Sequence, residues 1–373
     1  MKEILHYIYH TEDLTSALDG WLKGFAGSLG LPLWVASAIE VAAVILMVCV
    51  FLALVALFLV YLERKVAGHF QLRHGPMRVG PHGIVQTIAD AMKLFFKEDI
   101  VPDKADKAVH YAAPAFSFAA VFVGLGFIPW SDGVAPIDIN VGILFYTAIS
   151  SLGVLGLLMA GWGSNNKWSL LGGMRAGAQI ISYELSASLA ILVVVMFSGT
   201  LSISGIVESQ REGWWIWRGH LPMMIAFIIY IIAGTAETNR TPFDLPEAEA
   251  ELTAGYHTEY SGIRFAMFFL AEFLAMFLVC AIGATLFLGG WLPFQIGGLE
   301  GFNSVMGWIP PFIWFFAKTF FLIFVLMWFR WTFPRLRIDQ LMQLEWKFLM
   351  PLGLLNLVLA SLIVISGLYA FSA

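Results

Sequence analysis

The sequence predicts an all-α polytopic membrane protein with eight transmembrane helices, an N-terminal amphipathic helix and cytoplasmic amphipathic helices. Hydrophobic residues make up 59% of the 373 residues and charged residues only 13%, whereas a soluble domain has roughly 25% charged residues. Apolar runs of about 20 residues recur along the chain, and each can cross a bilayer about 30 Å thick. The longest interruption is 63–110. The sequence therefore leaves no room for a soluble domain.

The apolar runs define one membrane domain over residues 34–373. We place its spans at 34–62, 111–130, 141–162, 176–198, 221–238, 263–289, 311–330 and 348–370. The loops expected on the cytoplasmic side are 63–110, 163–175, 239–262 and 331–347. We expect no cleavable signal peptide, because the N-terminus lacks a basic region followed by a short apolar core.

Residues 1–33 form a separate, interfacial segment in this scheme. One helical face within 13–30 carries Leu14, Leu18, Trp21, Leu22, Phe25 and Leu29. Asp13, Asp19 and Lys23 lie on the other face. This pattern predicts a helix that lies in the plane of the membrane surface. Packing against a neighbouring subunit explains the pattern equally well.

The basic residues predict the orientation of the chain. The loops after spans 1, 3, 5 and 7 hold 16 of the 21 lysines and arginines, and the opposite side holds four. Loops rich in lysine and arginine stay in the cytoplasm. Eight spans then put both termini on the outer, periplasmic side of a bacterial inner (plasma) membrane.

The residue inventory excludes several cofactor sites on this chain. The two cysteines, Cys49 and Cys280, lie singly in apolar spans, whereas an iron–sulfur cluster needs four ligands. The histidines lie in loops or at span edges, away from the mid-span position of an axial haem ligand. There is no G-x-G-x-x-G after a strand and no Walker A motif. We therefore expect no metal, flavin or NADH site here, and no nucleic-acid partner.

Acidic residues concentrate between residues 237 and 272, inside an otherwise apolar protein. These acids are Glu237, Asp244, Glu247, Glu249, Glu251, Glu259 and Glu272. With Arg240 and Arg264 they give the stretch a formal charge of −5, equal to that of the whole chain. Ionisable groups at membrane depth cost about 2.5–3.5 kcal/mol each and usually mark a substrate or proton pathway. The stretch therefore predicts proton handling or cation movement.

Part of this acidic stretch has a purely structural explanation. Pro246 suits the first position of a helix. The first turns of that helix would carry Glu247, Glu249 and Glu251. Acids are favoured there by the helix dipole, although Glu247 and Glu251 share a face and repel each other. The dipole does not explain Glu237 and Glu272, which project from apolar spans.

Two further ionisable groups lie within spans. Glu184 is in span 4 and Lys318 is in span 7. Opposite charges at membrane depth pair with each other or line a wet cavity. A static ion pair and a proton relay are equally compatible with either residue.

The loop 63–110 combines tight turns with an amphipathic helix. Its turns are predicted by Gly75, Pro76, Gly80, Pro81 and Gly83. The helix that follows would present Ile84, Ile88, Met92 and Phe95 on one face. It either lies at the membrane surface or forms the wall of a cavity entrance. The basic loops 163–175 and 330–347 could anchor the protein to anionic lipid or dock a soluble partner.

At these loops the sequence resembles the family formed by the H subunit of bacterial respiratory complex I (NADH–quinone oxidoreductase), whose mitochondrial equivalent is NADH dehydrogenase subunit 1. The resemblance lies in the stretches ERKVAGHFQLRHGPMRVGPHGIVQTIADAMKLFFKEDIVP, GWGSNNKWSLLGGMRAGAQIISYE, AETNRTPFDLPEAEAELTAGYHTEYSG and PRLRIDQLMQLEWK. Together they cover all four inner loops in the right order, and the span count agrees. The N-terminal 33 residues and the outer loops match little.

The resemblance implies a membrane subunit beneath a peripheral arm, with quinone as substrate. Partner subunits of complex I would hold the FMN and the iron–sulfur clusters, and this chain would share the quinone chamber with them. The chamber would be lined by residues around Arg64, Arg73, Asp90, Arg240, Phe243, Asp244 and Glu251. The acidic path for protons would use Glu184, Glu237, Glu247, Glu249, Glu272, Lys318 and Asp339.

The sequence departs from the family pattern at two positions. Met77 stands where the family usually has asparagine, so a polar contact there is in doubt. Gly153 stands where some members have a glutamate in span 3, so another acid such as Glu184 would have to replace it.

Two other functions remain open at this point. The membrane subunit of an energy-converting hydrogenase would couple hydrogen evolution to ion movement, but the length of loop 63–110 favours the quinone enzyme. A stand-alone cation transporter would often show inverted repeats, and no repeat relates the first four spans to the last four.

Overall fold

The computed structural model describes residues 33–132, 134–246, 249–295 and 300–367, together with Gly20 and Gly24. The predicted interfacial helix within residues 1–33 lies outside the described residues, apart from those two glycines. Glu247 also lies outside them, and of Glu249 only the backbone is described.

The described part of the chain is built from helices. In chain order they are α1 (Leu33–Phe70), α2 (Gln86–Phe96), α3 (Lys107–Leu125), α4 (Gly142–Gly163), α5 (Lys167–Ser198), α6 (Ile203–Glu208), α7 (Trp215–Arg218), α8 (His220–Glu237), α9 (Glu249–Leu252), α10 (Gly262–Phe287), α11 (Glu300–Met306), α12 (Pro311–Thr332), α13 (Ile338–Leu344) and α14 (Met350–Ser366). A π-helical turn, Glu345–Leu349, joins α13 to α14.

The prediction of eight membrane-spanning helices is confirmed. Eight of the described helical segments are long and apolar enough to cross a membrane, the last being Ile338–Ser366. Their bounds differ from the apolar runs: α1 continues to Phe70 and α5 begins at Lys167. The reason is that polar residues at the ends of these helices pack against one another, so the helices extend past the apolar stretch.

The loops after the first, third, fifth and seventh spans meet at one end of the bundle. The Asn165 side chain donates to the Lys104 carbonyl at 3.0 Å, joining the first and third of these loops. The Leu336 amide donates to the Pro242 carbonyl at 3.1 Å, joining the fifth and seventh. We call this the basic end. The other loops meet at the opposite end, where the Ile143 amide donates to the Leu201 carbonyl at 3.1 Å.

The helices approach one another closely where glycine lies between them. A Cβ atom at Gly156 of α4 would lie 2.1 Å from Ser117 Oγ of α3, and one at Gly234 of α8 would lie 2.4 Å from a Val279 methyl of α10. Small residues at such crossings are a feature of membrane helix packing. They allow α10 to be buried along most of its length.

Proline and tyrosine together stabilise the start of α3. Pro114 lies inside α3 and has no N–H to donate to the carbonyl of His110. The Tyr260 hydroxyl donates to that carbonyl at 3.2 Å, and its ring stacks on the His110 ring with 4.1 Å between centroids. Burial raises the pKa of the Tyr260 phenol, so the hydroxyl keeps the proton that it donates.

Two predicted loop helices are also present. The amphipathic helix after the glycine–proline turns is α2, and its predicted apolar face, including Ile88, Met92 and Phe95, is exposed. In the acidic loop, the described helical turn is α9, which begins at Glu249.

Candidate functional site

A buried group of four charged side chains lies where α1, α10 and α12 approach the basic end. We call Glu63, Arg240, Glu272 and Arg330 the Arg240 cluster. The Arg240 side chain is 1% exposed, and its guanidinium binds Glu63 through Nη1 and Glu272 through Nε at 3.0 Å. Arg330 binds the other Glu63 oxygen at 2.5 Å. The two cations balance the two carboxylates.

Local structure explains how Arg240 reaches this position. It follows α8 directly, in a turn where Asn239 adopts a positive φ of 50°. The Arg240 amide donates to the Thr235 carbonyl, and the Phe243 amide donates to the Arg240 carbonyl at 2.8 Å. The turn is therefore tied to α8, and the Arg240 side chain points into the bundle.

A large cavity of about 540 Å³ opens at the basic end beside this cluster. Its polar lining includes Glu63, Arg64, Arg73, His74, His257, Glu272 and Arg330. The first loop forms one wall, because the Lys65 ammonium donates to the Pro76 carbonyl at 2.7 Å and folds the loop back on α1. Arg64 also binds Asp90, which places α2 beside this wall.

The opposite wall of the large cavity is a row of aromatic rings along α10. Phe265, Phe269 and Phe273 are four residues apart and share one helical face. Their ring centroids are 6.1 Å and 4.8 Å apart in turn. His257 continues the row at 5.3 Å from Phe265, and the Arg240 guanidinium lies 4.5 Å above Phe273. The row therefore leads to the Arg240 cluster.

A small cavity of about 90 Å³ lies deeper, among α3, α4, α5, α8 and α10. Its lining includes Ser117, Ser150, Gly153, Glu237 and Glu272. A Cβ atom at Gly153 would meet only the Ala120 methyl, at 3.7 Å, so this glycine leaves space beside the acids. Among the described residues, Glu272 alone lines both cavities.

Polar side chains continue from Glu237 toward Glu184. The Tyr146 hydroxyl is hydrogen-bonded to Tyr230, and Tyr146 lies within electrostatic reach of both Glu237 and Glu184. Glu184 accepts a hydrogen bond from Ser151 of α4. The structure therefore brings together three of the acids predicted for the proton path.

Other predicted site residues lie outside both cavities. Asp244 binds Arg335 at 2.7 Å, and Glu251 binds Arg175 at 2.6 Å. Phe243 is buried against Tyr183, with 5.2 Å between ring centroids. Asp339 is exposed in the first turn of α13. The roles predicted for these residues stay predictions.

Lys318 lies away from the acids, near the start of α12 at the opposite end. Its ammonium donates to the carbonyls of Gly290 and Leu292 at 2.9 and 2.5 Å. It also lies 4.3 Å above the Trp214 ring. The expected pairing with an acid at membrane depth is replaced here by backbone carbonyls, which satisfy the buried cation.

Sequence reasoning does not single out four residues that the structure makes prominent: Glu63, His257, Arg330 and Glu345. Glu63 follows the apolar run of α1 directly, and only the continuation of α1 buries it. Glu345 is buried in the π-helical turn, where Ser186 donates to it at 2.5 Å. No sequence signal separates these acids from ordinary loop carboxylates.

The eight spans, the buried charge cluster and the two adjoining cavities define a polytopic α-helical membrane protein with an ionisable interior. Residues 42–361 match the family model described as NADH dehydrogenase. The chain belongs to this family, and the resemblance seen in its four inner loops is confirmed.

Relatives of high identity share one name, which makes each of them the H subunit of an NADH-quinone oxidoreductase. That of Bacteroides fragilis (strain YCH46) is 56% identical over 334 residues, covering 89% of this chain and 93% of the relative. That of Bacteroides thetaiotaomicron is 52% identical over 354 residues, covering 95% and 99%. That of Rickettsia prowazekii is 51% identical over 312 residues, covering 83% and 89%.

Proposed function

We propose that this chain is the membrane subunit of a proton-translocating NADH–quinone oxidoreductase. It forms the quinone chamber together with partner subunits and begins the acidic path that couples quinone reduction to proton translocation. The observation that carries the proposal is the position of Glu272, which binds Arg240 and lines both cavities. The names of the relatives support the oxidoreductase and favour it over a hydrogenase or a stand-alone transporter.

The large cavity suits a quinone in size and lining. Its volume of about 540 Å³ falls in the range of small-molecule sites, roughly 300–1,000 Å³. The row from Phe265 to Phe273 offers apolar faces to a quinone ring or an isoprenoid tail. Arg73 and His257 line the same cavity and can donate hydrogen bonds to quinone oxygens.

The Arg240 cluster would respond to the reduction of quinone. FMN and iron–sulfur clusters on partner subunits supply the electrons, and a quinone that receives two electrons takes up two protons or stays negatively charged. A new negative charge in the cavity attracts Arg330 and Arg240, and this attraction is strong where water is scarce. Glu63 and Glu272 would then lose part of their compensation, which changes the affinity of Glu272 for a proton.

From Glu272 the small cavity offers the next step. Glu237 lines it opposite Glu272, and Gly153 leaves it room for water. Tyr146 then lies between Glu237 and Glu184. We propose that protons move along these three acids toward neighbouring membrane subunits.

The basic end would face the cytoplasm of a bacterium, with both termini on the outer side of the plasma membrane. The excess of lysine and arginine in the loops of this end supports the orientation. Peripheral partners that carry the redox cofactors would then dock over the large cavity.

Glutamine substitutions at the two cavity acids test the proposal. The complex with E272Q or E237Q is purified from native membranes and reconstituted in vesicles. Three rates are measured: NADH oxidation by a soluble artificial acceptor, inhibitor-sensitive quinone reduction, and proton uptake. Glutamine keeps the shape but cannot exchange a proton, so proton uptake per NADH should fall roughly tenfold or more. The acceptor reaction, which does not need the chamber, should persist.

E259Q is the matched control, because Glu259 binds Asn166 at 2.5 Å and lines neither cavity. It should translocate protons normally. Full proton uptake in a variant that carries both E272Q and E237Q would refute the acidic path. Copurification with hydrogenase subunits, or recovery of the chain alone with transport activity, would refute the oxidoreductase.

A further inference from the structure

We propose that a phospholipid of the bilayer binds at the basic end, in an apolar groove between α3, α4 and α5. One acyl chain lies in the groove, and the phosphate lies beside Lys104, Lys107 and Lys167. The groove shares no lining residue with either cavity, so this proposal stands apart from the quinone chemistry.

The groove has a volume of about 410 Å³ and an entirely apolar set of side chains. They are Val109, Leu158, Met159, Trp162, Leu170 and Met174. These residues belong to the first turns of α3 and α5 and to the last turns of α4. The groove is therefore at the level where a spanning helix leaves the bilayer core. Trp162, 73% exposed at its rim, is a residue favoured at this level.

Local hydrogen bonds bring three lysines to the rim of this groove. The Asp106 amide donates to the Gly163 carbonyl at 3.0 Å, which joins the start of α3 to the end of α4. Lys107 is the first residue of α3 and Lys167 the first residue of α5. Lys104 is held nearby by the contact of its carbonyl with Asn165.

These lysines differ from the arginines around them. Arg175 and Arg264 form ion pairs with Glu251 and Asp99 at 2.6 and 2.8 Å. Within the described ranges, no carboxylate lies within ion-pair distance of Lys104, Lys107 or Lys167.

The acids near these lysines are engaged with other groups or face the solvent. Asp106 accepts from the amides of Ala108 and Val109, and Glu259 accepts from Asn166. Asp103 is exposed at the same end.

Cations above an apolar groove match the two parts of a phospholipid. A lysine ammonium binds phosphate as a point charge. The apolar lining requires a chain of methylene groups, which an acidic protein loop or a free anion does not supply. The Lys167 ammonium already lies 5.1 Å from the Trp168 ring, so it is held at the rim rather than extended into solvent.

Native mass spectrometry of the purified complex tests the site. The complex is stripped of loosely held lipid and titrated with phosphatidylglycerol or phosphatidylcholine. The wild type should bind one phosphatidylglycerol that the variant K104Q/K107Q/K167Q binds roughly tenfold more weakly. K93Q/K97Q/K347Q removes the same charge elsewhere at this end and should bind as the wild type does. M174W fills the groove with its charges intact and should also lose the lipid. L144W, at the other end of α4, should keep it.

Three results would overturn the proposal. The first is equal lipid binding by the two triple variants, which would exclude a role for these lysines. The second is displacement of the bound lipid by inorganic phosphate alone, which would show an ion site without a chain. The third is a cross-link from L170C to another protein subunit in native membranes, which would show that protein covers the groove.

Discussion

Replacing Arg240 with methionine should make the bundle open around α10 far more often than in the wild-type protein. Methionine keeps much of the apolar stem but removes the cation that binds Glu63 and Glu272, whose side chains are only 10% and 14% exposed. Removing one partner of a buried ion pair costs about 3–5 kcal/mol. Arg330 still binds Glu63, so we take the lower value, which corresponds to about a hundredfold change in the opening equilibrium.

The two cysteines provide the assay. Cys280 lies on α10 and is buried, eight residues after Glu272, whereas Cys49 is exposed. With Cys49 replaced by serine, the rate at which a membrane-permeant maleimide labels Cys280 measures the open fraction, provided that opening and closing are faster than labelling. Arg240→Met should raise this rate about a hundredfold.

The matched control is Arg335→Met at the same end of the molecule. Arg335 binds Asp244, but their side chains are 36% and 17% exposed, and a solvent-exposed pair contributes at most about 1 kcal/mol. Its labelling rate should rise less than about fivefold. The triple change Arg240→Met, Glu63→Gln and Glu272→Gln leaves fewer buried charges and should recover most of the loss. Equal labelling rates in Arg240→Met and Arg335→Met would refute the argument.

The remaining predictions concern the two cavities and the opposite end. Phe269→Ala removes the middle ring of the aromatic row, so the KM for quinone should rise while the artificial-acceptor rate is unchanged; an unchanged KM would contradict the assignment of this wall. Gly153→Leu should fill the small cavity and lower proton uptake per NADH, whereas Gly153→Ala fits beside Ala120 and should keep it; equal coupling in both would show that the space is not needed. Lys318→Met leaves the Gly290 and Leu292 carbonyls without their donor, so thermal stability should fall by about 1–3 kcal/mol with proton uptake per NADH intact; a loss of coupling would return Lys318 to the proton path.

The cost of burying charge makes part of the site predictable. Glu237 and Glu272 stand out in the sequence because no capping or dipole effect explains an acid inside an apolar run. The structure places both at the small cavity. The same argument selects Lys318, yet this lysine lies at the opposite end and binds carbonyls. The cost of a buried charge shows that a partner is needed, but it does not show which group provides it.

Residues at the ends of apolar runs are harder to predict. Hydropathy ends the first apolar run at residue 62, which predicts Glu63 at the start of a loop. In the structure α1 continues to Phe70, and Glu63 becomes a buried partner of both Arg240 and Arg330. The continuation depends on contacts with α10 and α12, which are distant in sequence. Hydropathy along one segment cannot reveal such contacts.

The position of Glu272 follows from the geometry of α10. Phe265, Phe269 and Phe273 face the large cavity, and residues such as Phe268 and Ala271 face the small one. These sets lie on different faces because successive residues are rotated by about 100° around a helix. Glu272 lies on the border between the two faces, so its carboxylate reaches both compartments. A group that passes a proton from one compartment to the other must contact both, and an acid one position away would contact only one.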